Sequence, residues 1–274
     1  MIEAHCITLM DEQKRLEHVQ KEAAKWGDGF HIRTAIDGRK VSVHPFEDVP
    51  PGWSTLEARK LATYVGLFEE EMTDATRACA KGHVSLALEW LERVESKEVT
   101  ERDYMLILED DFAWNNLPQF KVFLSQLEQQ ARPEFDMILV GYRGGEKRHL
   151  KADWHRWRYT QRSRKTADPA ESARLLLESR RWPGRKKGPL HLRSAGHHLG
   201  MHGYLINAAA ARGMVHVGSS LAYPADFLAR MMEAFQFARV GITPQKWVIT
   251  RTELGSTLRD EAEFLESAVR FPTD

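Results

Sequence analysis

Short apolar runs alternate along the chain with longer segments in which apolar residues recur every three or four positions. His5-Cys6-Ile7-Thr8-Leu9 reads as a first strand. Leu16, Val19, Ala23 and Trp26 then mark one face of a helix from about Glu12 to Trp26, with Asp11 as candidate N-cap and Gly27 and Gly29 closing it. Phe30 to Ile36 alternates enough for a second strand, ended by the turn Asp37-Gly38. A β–α–β opening of this kind predicts parallel strands joined by a right-handed crossover. A loop rich in proline follows at 44–53, and Ser54-Thr55-Leu56-Glu57 has the form of a capping box for a helix to about Glu71. A further helix is predicted from Thr73 to Val94, with His83, Leu86, Ala87, Trp90 and Val94 on one face.

The sharpest break in the pattern is Tyr104-Met105-Leu106-Ile107-Leu108-Glu109-Asp110-Asp111, where apolar residues run straight into three carboxylates. A continuous apolar run reads as a strand buried on both faces. Ligands of open α/β sheets bind beyond the carboxyl ends of such strands, which is where these acids would lie. Adjacent carboxylates repel unless a cation neutralises them, and hard oxygen ligands suit Mg²⁺ or Mn²⁺, which can hold a diphosphate. Taken alone, the run fits a solvated loop or an acidic helix N-terminus equally well.

Beyond it, a helix from Leu117 to Gln130, strands at Phe135–Tyr142 and Gly203–Ile206, a helix start at Asn207–Ala211, a helix from Ala225 to Ala238 and a strand at Trp247–Thr250 continue the alternation. The expectation is one α/β domain over residues 1–274 with a mainly parallel central sheet. Between Arg143 and Arg193 the periodicity dissolves, apart from a short helical stretch at Glu171–Ser179.

Composition narrows the picture little: 42% hydrophobic and 28% charged residues with zero net charge are ordinary for a globular protein. The two cysteines, Cys6 and Cys79, lack metal-type spacing and argue against a disulfide framework. No signal peptide and no transmembrane-length segment is visible, so a cytoplasmic protein is expected, peripheral membrane contact remaining open.

Three further constellations accompany the acidic run. Asp37-Gly38 is a plain turn or an acid positioned to meet the base or ribose of a nucleotide. In Gly200-Met201-His202-Gly203-Tyr204-Leu205-Ile206-Asn207 a glycine pair lets backbone approach a ligand, and His202 is either an imidazole ligand or part of a tight loop. Asp226, in Tyr223-Pro224-Ala225-Asp226, is an N-cap or a general base.

Together with Cys6-Ile7-Thr8-Leu9, Cys79 to His83, and Gly255-Ser256-Thr257, these motifs resemble, in order, those of glycosyltransferase family 25, the lipopolysaccharide-biosynthesis and collagen-galactosyltransferase type. The chain departs from that pattern at Met10-Asp11-Glu12-Gln13, where the family has an arginine- and proline-rich turn, and at Ala78 and Gly82. The resemblance implies a GT-A-like, Rossmann-type nucleotide-sugar fold and a uridine diphosphate sugar as donor. It implies Mn²⁺ or Mg²⁺ on Glu109 and Asp111 with His202. It also implies donor contacts at Thr8, Asp37, Gly38, His83, Asp110, Gly200 and His202. An inverting reaction needs a carboxylate base on the acceptor side, for which Asp226 is the first candidate and Asp110 the second.

The segment at about 143–198 is a basic, aromatic insertion. From Arg143 to Arg193 it holds sixteen Lys/Arg against five Asp/Glu, interleaved with Trp154, Trp157, Tyr159 and Trp182. Cations with stacking rings suit a polyanion. Arg156, Trp157, Arg158, Arg162, Arg164 and Trp182 are therefore the expected acceptor contacts. The acceptor classes are an anionic surface glycan such as lipopolysaccharide, or DNA carrying a hydroxylated base. A non-catalytic polyanion-binding protein is the third alternative.

Overall fold

The computed structural model describes residues 2–47, 72–130, 133–143, 152–179, 183–184, 186–196, 199–251 and 254. The helix expected at Ser54–Glu71, Trp182 and Gly255-Ser256-Thr257 lie outside the described residues. The opening forms as β1 (Glu3–Thr8), α1 (Gln13–Trp26) and β2 (Phe30–Thr34). Helix α2 (Asp74–Glu95) follows, its first turn capped by the Thr73 side chain, which accepts the Thr76 N–H. Next come β3 (Met105–Glu109), β4 (Phe112–Trp114), α3 (Leu117–Glu128) and β5 (Met137–Arg143). The basic segment after β5 supplies α4 (Ala152–Lys165), α5 (Pro169–Glu178), β6 (Lys186–Lys187) and β7 (Leu192–Ser194). The chain then runs through β8 (Leu199–Ile206), α6 (Ala208–Gly218), α7 (Ala225–Ala234), β9 (Val240–Ile242) and β10 (Val248–Thr250).

The main sheet has the order β2-β1-β3-β8-β5-β9-β7-β6, and β10 and β4 form a second, two-stranded sheet. The parallel arrangement expected from the sequence holds for β2-β1-β3 and for β5-β9. Strand β8 enters antiparallel to both β3 and β5, and β7 is antiparallel to β6 and β9, so the sheet is mixed.

Helices cover both faces. The side chains of β3 alternate between two cores: Met105 and Ile107 pack with Trp90, Tyr204, Met214 and Phe227, while Leu106 and Leu108 pack with Val19, Phe112, Phe120 and Trp247. All four are at most 2% exposed. Full burial of each contributes roughly 1.5–3 kcal/mol, so the strand that ends in the acids is firmly anchored from both faces.

Helix α4 is a correction, since no helical periodicity is visible in the sequence there. Its large apolar residues, Trp154 and Trp157, lie on the exposed face and leave no apolar stripe. Its inner face is held by short polar contacts, such as Ser163 Oγ to Ser172 Oγ of α5 at 2.8 Å. Ala173 and Leu177 of α5 enter the core beside α7. Among the described residues, no helix is long and apolar enough to cross a membrane.

Candidate active site

The three carboxylates occupy the end of β3 and the turn into β4. That turn is fixed from outside: β4 pairs with β10, and the Asp111 carbonyl accepts the Arg251 N–H at 2.7 Å. Strand β8 runs beside β3 with Gly203 opposite Leu108. A Cβ at Gly203 would stand 3.1 Å from both the Leu108 and the Val248 side chains, so glycine lets β8 and the small sheet close on the strand end. The neighbouring residue, His202, is thereby brought to the acids.

His202 Nδ1 donates to Glu109 Oε2 at 3.0 Å and lies 3.8 Å from Asp111 Oδ1. On the other side His83, fully buried on α2, points Nε2 at Glu109 Oε1 across 3.5 Å, while its Nδ1 is 2.6 Å from the Tyr204 hydroxyl. The neutral tautomer that accepts from Tyr204 presents its Nε2–H to Glu109. Burial works against the Glu109 charge, but His202 and His83 outweigh it and hold the carboxyl well below its usual range. Asp111 is pushed up to about 6 by burial and by the Glu109 charge.

Within this cluster, Asp111 Oδ1 and His202 Nε2 are buried without a hydrogen-bond partner. Unsatisfied buried polar atoms are costly. Glu109, Asp111 and His202 each offer a ligand atom within 4.8 Å of the others. An oxygen-rich set with one imidazole fits a divalent cation such as Mn²⁺.

Asp110 faces the other way. It accepts from Thr8 Oγ1 at 3.0 Å and pairs with Arg15, whose side chain is almost fully buried. Burial raises the Asp110 carboxyl although Arg15 opposes it. Arg15 was not singled out in the sequence, because its partner becomes visible only through the parallel register that sets Ile7 beside Glu109. Its only sequence signal is a cation in the first turn of the helix that follows β1.

Thr8, Arg15, Asp37, Gly38, Cys79, His83 and all three acids line one cleft. Gly38 is required there by packing, since a Cβ would overlap the Asp74 carbonyl. Asp37 is engaged locally: Arg39 donates to it from Nε at 2.8 Å and Nη2 at 2.9 Å, holding its carboxyl low.

Asp226 lies at the start of α7, but the N-cap is Pro224. The Asp226 carboxylate instead accepts the Met201 N–H at 2.9 Å, next to His202. Burial and the Glu109 charge raise it. Gly200 lies within β8, two residues before His202; the close approach belongs to Gly203.

The expected acceptor residues divide. Arg156 turns inward to Glu233 Oε1 of α7 at 3.1 Å and to the Ala195 carbonyl, and is a structural tie. Trp157 is 61% exposed, and Arg158, Arg162 and Arg164 are exposed with it. Arg158 stacks over Trp154 and Arg162 over Tyr159. Because β3 and β5 are both antiparallel to β8, they run the same way, and the basic segment leaves β5 at the acidic end of the sheet.

A family model described as glycosyltransferase family 25 (LPS biosynthesis protein) matches residues 1–229, a stretch that contains every residue of the site from Thr8 to Asp226. No curated protein sequence matches the chain.

Proposed function

The chain belongs to glycosyltransferase family 25 and is a glycosyltransferase; on that premise we propose that it moves a sugar from a uridine diphosphate donor to a hydroxyl of an anionic surface glycan, with Mn²⁺ or Mg²⁺ at Glu109, Asp111 and His202. The observation that carries this reading is that Glu109, Asp111 and His202 each bring a ligand atom within 4.8 Å of the others, and that Asp111 Oδ1 is buried there without a hydrogen-bond partner. The cation, when bound, would offset the negative charge that grows on the diphosphate as the glycosidic bond breaks. Arg15 lines the same cleft, and a guanidinium suits phosphate oxygens. The Tyr204–His83 pair holds Glu109 ionised and oriented from behind.

The reaction we propose is a single displacement with inversion. The acceptor oxygen bonds to the anomeric carbon, the carbon–oxygen bond to the diphosphate breaks with its electron pair leaving on the diphosphate, and the acceptor proton passes to Asp226. The reacting carbon is oxocarbenium-like on the way. A carboxyl raised by burial is a better base than an ordinary aspartate. Asp110, already committed to Arg15 and Thr8, is the poorer candidate. The exposed Trp157, Arg158, Arg162 and Arg164 face supplies cations and stacking surfaces for a phosphorylated glycan.

The test is transfer or hydrolysis of a uridine diphosphate sugar. A chelator should abolish it, Mn²⁺ should restore it, and Asp111→Ala should remove it; full activity in Asp111→Ala refutes the metal assignment. The same cationic face would suit a DNA acceptor, and binding to duplex and single-stranded DNA across a salt series separates the two. Absence of binding at low salt removes the DNA alternative.

A further inference from the structure

At the opposite end of the sheet, β1 and the edge strand β2 place His5 and His31 side by side in register. Their rings stack with centroids 4.7 Å apart. Both Nε2 atoms face one carboxylate oxygen: His5 Nε2 lies 3.6 Å and His31 Nε2 3.8 Å from Glu3 Oε2. The three potential ligand atoms lie within 4.8 Å of one another. The His5 side chain is only 7% exposed, and neither of its ring nitrogens makes a hydrogen bond. A buried imidazole left unsatisfied is costly, and this one has a ligand atom within 4.8 Å of those of a carboxylate and a second imidazole.

We propose that Glu3, His5 and His31 form a second metal site, for a borderline divalent cation such as Zn²⁺. Two imidazoles and one carboxylate select Zn²⁺, Co²⁺ or Ni²⁺ over Mg²⁺ or Ca²⁺. Tetrahedral bonds of about 2.0–2.1 Å set ligand atoms roughly 3.3 Å apart, so closure needs shifts of only a few tenths of an ångström from the distances to Glu3. Arg93 holds the carboxylate in place, donating from Nη1 to Oε2 at 2.6 Å and from Nη2 to Oε1 at 3.1 Å. Each oxygen keeps a second lone pair, and ligating carboxylates are commonly hydrogen-bonded from behind in this way. His31 is half-exposed and leaves one coordination position open to water. The cation would clip the edge strand β2 to β1. The chain beyond β2 carries Asp37 and Gly38 into the cleft, so the clip would steady that wall from a distance. This inference is independent of the chemistry proposed for the acidic turn.

The test is equilibrium dialysis of the full chain against Zn²⁺, with bound metal measured per chain. Wild type is expected to retain one equivalent more than His31→Ala, and the same difference is expected between Asp111→Ala and the Asp111→Ala/His31→Ala double variant. His31 is exposed enough for its removal to leave the fold intact, which circular dichroism checks. Added Co²⁺ should broaden the His31 ring-proton resonances. Equal Zn²⁺ retention with and without His31 overturns the proposal, as does retention that depends on Asp111 alone.

Discussion

Arg15→Ala measures how the protein tolerates three consecutive acids at the end of a buried strand. The substitution strips Asp110 of its guanidinium partner, in a place where the two side chains are 8% and 13% exposed. Asp110 keeps the hydrogen bond from Thr8, but its charge is left beside Glu109 and Asp111 without the guanidinium that offset it. Removing one partner of a buried pair typically costs about 3–5 kcal/mol, because the other charge stays buried. Against a total stability on the order of 5–15 kcal/mol, this is a large fraction. Asp110→Asn in the same background removes the stranded charge while keeping the shape, so the double variant should recover more than half of the loss. Urea denaturation of wild type, both single variants and the double variant, in metal-free buffer at neutral pH, gives the coupling energy directly. A cost below about 1 kcal/mol for Arg15→Ala, the range of an exposed pair, would refute the reasoning. So would a double variant no more stable than the single one. Asp110 would then be uncommitted and would have to be reconsidered as the base.

Asp226→Asn should lower kcat for sugar transfer by roughly 10²–10⁴ while leaving donor KM unchanged, as steady-state kinetics would reveal; a matching loss in donor affinity would instead make the residue a support for β8. Gly38→Ala should weaken uridine diphosphate binding in a calorimetric titration, because the new methyl must displace the α2 backbone at Asp74; unchanged affinity would remove Gly38 from the donor wall. Asp136 supplies a pH test away from the site. Burial alone would raise its carboxyl, but hydrogen bonds from Arg239 Nε at 2.9 Å and Nη2 at 2.7 Å outweigh it and depress it. A depressed carboxyl contributes stability that is present above its ordinary value of about 3.9 and lost as pH falls through the lower folded value. The urea-midpoint gap between wild type and Asp136→Asn should therefore narrow below about pH 4. A constant gap would contradict the assignment.

What the sequence revealed depended on whether a feature is local. The strand at Met105–Glu109 and its acids were legible because a continuous apolar run is its own signal. The α2 face carrying His83 and Trp90 was legible from spacing. Strand direction was not, since nothing in Gly203–Ile206 encodes that β8 runs against β3. The Arg15–Asp110 pair joins residues 95 positions apart and exists only through the β1–β3 register. Helix α4 was missed because its aromatics face outward, so periodicity had no buried stripe to detect. Arg156 was expected to face the acceptor with its neighbours, but one-dimensional charge density does not tell an inward cation from an outward one; Glu233 of α7 decides it.

Arg143 and Leu199 are direct neighbours on adjacent strands, although the whole basic segment lies between them. A segment that leaves and re-enters a sheet at one point can lengthen at little entropic cost, because closing a loop grows only logarithmically more expensive with its length. This one is anchored part-way, by β7 against β9 and by Ala173 and Leu177 in the core, so the freedom lies in the exposed face of α4. The face that would choose the acceptor can therefore be altered without disturbing the residues that would break the sugar–phosphate bond.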